Sequence, residues 1–121
     1  MPLTAVKSDS KIRTKNFKGS LLQGKTKICT VTVNSGVMLL DVDLKWTNKD
    51  NKLSLTAVSP SGKTYEPKYD KSDGKEDGEI TFRIKASDVE DIEIGNWKFK
   101  VYGKSIKESE NFKFKSSAHI K

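Results

Sequence analysis

Alternation with a period of two residues dominates this chain. That period marks a strand with one face buried, because successive side chains along a strand point to opposite sides. The run Leu40-Asp41-Val42-Asp43-Leu44-Lys45-Trp46 is the clearest case. Leu40, Val42, Leu44 and Trp46 share one side, and Asp41, Asp43 and Lys45 share the other. Leu53-Ser54-Leu55-Thr56-Ala57, Ile80-Thr81-Phe82-Arg83-Ile84 and Trp97-Lys98-Phe99-Lys100-Val101 repeat the pattern. Cys29-Thr30-Val31-Thr32-Val33 is a fifth run, rich in β-branched residues that suit a pleated surface. Phe112-Lys113-Phe114 reads as a closing strand, and residues 13–22 as an opening strand leading into Gly24. Helical character is confined to residues 87–92, a single turn at most.

Turn chemistry falls between the runs: Asn34-Ser35-Gly36, Asn48-Lys49-Asp50-Asn51, Ser59-Pro60-Ser61-Gly62 and Gly95-Asn96. Strands recurring about every 8–12 residues with turns between them predict an all-β, jelly-roll-like antiparallel β-sandwich of about eight strands. The 121 residues suffice for one domain, expected over 11–121 behind a flexible leader at 1–10. With 34% apolar residues the core is lean and is placed by pattern rather than by abundance. No stretch approaches the ~18 apolar residues of a membrane span, and no apolar segment of a secretion signal follows Met1. The expectation is therefore either a cytoplasmic protein or a piece of a longer secreted chain.

Few residue types capable of covalent or metal chemistry are present. Cys29 is the only cysteine and His119 the only histidine, so an internal disulfide and a Cys/His zinc cage are excluded. Cys29 shares a face with Val31 and Val33 and reads as a buried thiol. A Ser-His-Asp triad would have to use His119, in what reads as a fraying tail. Asp41 and Asp43, outward on one strand about 7 Å apart, would need desolvation to split their pKa values, and nothing nearby in sequence supplies it. They read instead as cross-strand partners of lysines such as Lys98 and Lys100. With no phosphate-cradling loop or nucleophile elbow, the chain reads as no enzyme.

Binding is the better fit to the remaining residues. The formal charge is +7, but residues 66–93 carry 10 acids against 5 bases between two basic flanks. Only Arg13 and Arg83 are arginine, and a lysine surface favours solubility or diffuse attraction to polyanions over specific nucleic-acid recognition. In the acidic stretch, Asp70, Asp73, Glu76 and Asp77 have the oxygens a calcium ion needs, without EF-hand spacing. The alternative there is a solvated hairpin loop with Asp-Gly turns. Trp46 and Trp97 have core parity. Tyr102 has the opposite parity to Trp97, and Tyr65 and Tyr69 flank Pro67 in a loop, which makes these three tyrosines the ligand-binding candidates.

The order of motifs carries a family resemblance over roughly residues 24–114. Leu44-Lys45-Trp46 is followed by Leu53-Ser54-Leu55, by Ser59-Pro60-Ser61-Gly62-Lys63-Thr64-Tyr65, and then by Gly95-Asn96-Trp97-Lys98-Phe99-Lys100-Val101. This resembles the pre-peptidase C-terminal domain and the related P-domain of proprotein convertases, and modules in surface and secreted proteins of methanogenic archaea. The resemblance implies a non-catalytic jelly-roll module of a secreted or cell-surface protein, often beside a protease. Such a module supports a partner domain or binds a matrix, glycan or envelope component. Some members bind calcium, but their usual ligands do not map onto this sequence. The alternatives are a calcium-dependent binding domain and a polyanion binder acting through the lysine-rich flanks.

Overall fold

The alternating runs become eight strands: β1 (Ile12–Leu21), β2 (Thr26–Val33), β3 (Val37–Trp46), β4 (Lys52–Val58), β5 (Lys68–Tyr69), β6 (Glu79–Lys85), β7 (Gly95–Ser105) and β8 (Glu110–Ile120). The computed structural model describes residues 12–48, 50–70, 78–86 and 92–120. The leader expected at 1–10 and nearly all of the helical turn expected at 87–92 lie outside these. The described residues contain no α-helix.

The strands form two four-stranded sheets, β1-β8-β3-β6 and β2-β7-β4-β5, antiparallel throughout. Their ladders nest: β1 pairs with β8, β2 with β7, β3 with β6 and β4 with β5. One long hairpin is thus folded over into two layers, which is jelly-roll topology. β8 lies between β1 and β3, so the tail expected to fray is an interior strand. Pairing on both sides fixes its backbone, and His119 sits in register with Ile12 and Leu39.

Parity holds strand by strand. Leu40, Val42, Leu44 and Trp46 are buried, as are Leu53, Leu55 and Ala57, Ile80 and Ile84, and Trp97, Phe99 and Val101. Between the sheets the aromatic rings form a continuous chain. Tyr65 lies 6.0 Å from Phe82 and 5.8 Å from Trp97; Trp97 lies 6.4 Å from Phe99; Phe99 lies 5.3 Å from Phe114; Phe114 lies 5.8 Å from Phe17. Tilted and edge-on rings at this spacing add to what their buried area contributes.

The two motifs behind the family resemblance touch. In the Ser59–Gly62 turn, Gly62 adopts φ 98° and its N–H donates to the Ser59 carbonyl at 2.9 Å. Gly95 opens β7 at φ 132°, and a Cβ there would come 2.8 Å from Cβ of Pro60. The close approach requires glycine, and it sets where β7 begins. Two residues on, Trp97 Nε1–H donates to the Glu93 carbonyl at 2.9 Å.

At the other end a buried carboxylate joins two turns. Glu110 accepts the Thr47 N–H at 3.3 Å, the Asn48 N–H at 3.0 Å and Nδ2–H of Asn51 at 3.0 Å. Asn51 Oδ1 in turn accepts the Lys107 N–H at 2.9 Å, and the Asn51 carbonyl accepts Trp46 Nε1–H at 3.0 Å. Each buried polar atom named here has a partner, as burial demands.

Candidate functional site

Strand register decides which outward residues become neighbours, and it gives the two sheets different outer faces. On β2-β7-β4-β5 the rows read Thr30–Lys98–Val58, Ile28–Lys100–Thr56 and Thr26–Tyr102–Ser54–Tyr69. Tyr69 and Tyr102 are 41% and 39% exposed, whereas Ser54 between them is 5% exposed. Strand spacing puts the two tyrosine Cα atoms roughly 10 Å apart on either side of that serine. The ladder between β4 and β7 shifts register after Lys52, which pairs with Ser105 while Leu53 pairs with Gly103. Lys104 is therefore the extra residue of a bulge, a device that re-aims a side chain. Its Nζ lies 4.7 Å from the Tyr69 ring centre. No outward position in these rows is a carboxylate. Lys98 and Lys100 have no acidic partner among the described residues.

The outer face of β1-β8-β3-β6 is ordered by charge. One row reads Thr14–Ser117–Asp41–Arg83. Asp41 Oδ1 accepts Arg83 Nε–H at 2.7 Å, and Oδ2 accepts Arg83 Nη2–H at 3.3 Å and lies 3.2 Å from His119 Nε2. The hydrogen bond from Arg83 holds the Asp41 carboxyl below the usual carboxylate range, with the charges of Arg83 and His119 adding to it. Among the described residues, no hydroxyl is hydrogen-bonded to His119, so the group is an ion-pair cluster. This corrects the partners expected for Asp41 and Asp43. Lys98 and Lys100 lie on β7, in the other sheet; Asp41 is engaged by Arg83 and His119, and Asp43 lies 3.7 Å from Lys45 Nζ. Alternation fixes the face a residue occupies but not which strand lies beside it.

The remaining candidates separate. Tyr65 belongs to the aromatic chain of the core, with Lys63 Nζ 5.0 Å from its ring centre, and is not part of the Tyr69–Tyr102 row. Asp70 is buried, and its Oδ2 accepts the Gly78 N–H at 3.0 Å. Asp73, Glu76 and Asp77 lie outside the described residues. Among those described, no three Asp, Glu, His or Cys side chains gather as metal ligands. Burial pushes the Cys29 thiol up to about 11, so at neutral pH it is protonated and a poor nucleophile. Sequence reasoning missed Ser54 and Lys104, which only the ladder register and the bulge bring to the tyrosines.

By sequence, no protein family and no curated protein matches the chain. Solved structures do resemble it in fold. The CspB protease of Clostridium perfringens matches with TM-score 0.63 and 13% identity, over 82% of this chain and 25% of the protease chain. The Bacillus licheniformis lipase BlEst2 in propeptide form matches with TM-score 0.57 and 18% identity, over 92% of this chain and 22% of the lipase chain. PliG of Aeromonas hydrophila, a periplasmic inhibitor of g-type lysozyme, matches with TM-score 0.53 and 14% identity, over 93% and 90%. The chain thus spans about a quarter of the protease and lipase chains. At these identities the likeness establishes the β-sandwich fold. No helix of the described residues is long and apolar enough to cross a membrane.

Proposed function

We propose that this chain is a non-catalytic accessory module of a secreted or cell-surface protein, and that it binds through the outer face of β2-β7-β4-β5. The partner is a neighbouring domain, such as that of a protease, or an extracellular polymer. The observation that carries this reading is the Thr26–Tyr102–Ser54–Tyr69 row, with exposed aromatic rings beside lysines that have no carboxylate partner among the described residues. Aromatic rings combine large contact area with a polar tip and make good anchors. The fold neighbours are in keeping with it: a sandwich of this kind forms part of a larger protease chain and of a lipase propeptide form, and stands nearly alone as a lysozyme inhibitor.

Retention on insoluble peptidoglycan, chitin and collagen, and on the polypeptide encoded beside this one, tests the reading. The wild-type chain is expected to be retained by at least one of these. The Tyr69→Ala/Tyr102→Ala double variant is expected to lose tenfold or more of that retention with an unchanged melting temperature. Equal retention of both proteins, retention by none of the partners, or turnover of peptide, ester or glycoside substrates by the purified chain would overturn it.

A further inference from the structure

On the outer face of β1-β8-β3-β6, two rows set an acid beside a base, and the row after them gathers like charges. Lys115 stands beside Asp43, and Asp41 stands beside Arg83. The next row reads Lys18–Lys113–Lys45–Glu79. Three lysines lie directly opposite one another on three adjacent strands, an arrangement that is destabilising by like-charge repulsion. Lys45 is shared between Asp43 at 3.7 Å and Glu79 at 3.9 Å, but Lys18 and Lys113 have no carboxylate partner among the described residues. Ser20 and Asn111 oppose each other in the following row. With Thr47 they line the same open depression of about 600 Å³ as the three lysines. Cations in excess, neutral hydrogen-bonding side chains beside them and a recess between are what a doubly charged oxyanion requires. Lysine serves such a group as a point charge with three donors.

We infer that Lys18, Lys113 and Lys45, with Ser20, Asn111 and Thr47, form a binding site for a phosphoryl or sulfuryl group. The site is on the opposite sheet from the tyrosine row and does not depend on the partner reading. The bound group offsets the repulsion within the row, so removing lysines from the empty site does not weaken the fold. A solvated lysine face would show screening by any salt, whereas this site distinguishes a multivalent oxyanion from chloride at equal ionic strength.

Thermal melts of the whole chain test this, with sodium pyrophosphate, with heparin, and with sodium chloride matched in ionic strength. Pyrophosphate or heparin is expected to raise the melting temperature above the chloride control. The Lys18→Gln/Lys113→Gln variant is expected to melt at or above the wild-type temperature without anion and to lose the rise. A Lys98→Gln/Lys100→Gln variant on the other sheet keeps it. A rise with pyrophosphate identifies a free or terminal phosphate as sufficient; a rise with heparin alone identifies a polymer-borne sulfate. No rise above chloride with either probe would overturn the assignment. So would a rise that survives Lys18→Gln/Lys113→Gln, or one abolished by Lys98→Gln/Lys100→Gln instead.

Discussion

Asp41 on β3 has Arg83 on one side and His119 on the other, whereas Lys98 and Lys100 on β7 face Thr30, Val58, Ile28 and Thr56. The two outer faces cover one core, to which both sheets contribute buried inward residues. On β1-β8-β3-β6, charge pairs reinforce the register that the buried side chains already impose, and much of the charge is spent within the molecule. On β2-β7-β4-β5, register rests on the inward side chains and on the Gly95–Pro60 contact, and the outward Lys98 and Lys100 have no acidic partner among the described residues. A face whose charged groups contribute little to its own fold can be altered without unfolding the protein, which makes the two faces separable by experiment.

The largest expected effect tests the core that both faces share. Trp97→Ala removes the ring that links Tyr65 to Phe99 and is expected to cost about 3–5 kcal/mol in urea denaturation, through the lost burial and the cavity left behind. A loss below about 1 kcal/mol would mean that Trp97 does not fill the space between the sheets, and the division into inner and outer faces would fail with it. A smaller effect separates the faces by pH. The Asp41 carboxyl titrates below its ordinary range in the folded protein, so the unfolded chain takes up that proton first as the solution is acidified. Its stabilisation is full above the ordinary carboxylate pKa of about 3.9 and is lost as pH falls through the lowered folded value. Asp41→Asn is therefore expected to be less stable than wild type at neutral pH, with the gap closing in strong acid. The smallest effect belongs to Lys100→Gln, expected to leave stability unchanged at both pH values. A gap for Asp41→Asn that is independent of pH would break the comparison, as would a pH-dependent one for Lys100→Gln.

What the sequence made legible follows from the difference between local and non-local information. Alternation along Leu40–Trp46 or Trp97–Val101 is local, and it placed the inward residues and the exposed Tyr102 correctly. The Ser59-Pro60-Ser61-Gly62 turn and the Gly95-Asn96-Trp97 strand were readable as motifs, but their contact through Pro60 and Gly95 was not. Neighbours across a ladder depend on the order of strands in the sheet. For that reason alternation does not give Arg83 and His119 as the partners of Asp41, and the Lys18–Lys113–Lys45 row, drawn from three distant segments, leaves no trace in the sequence. Glu110 gives no signal either, because its burial depends on Thr47, Asn48 and Asn51 folding over it. Lys104 is aimed at Tyr69 by a bulge, which alternation cannot anticipate.

Amide chemical-shift mapping with a retaining polymer or partner domain that carries no phosphoryl or sulfuryl group is the most direct measurement of the proposed binding face. The account predicts that perturbations concentrate on Thr26, Ser54, Tyr69, Tyr102 and Lys104, leaving β1 and β8 unmoved. Perturbations centred on the Asp41–Arg83–His119 face, or spread equally over both sheets, would contradict it.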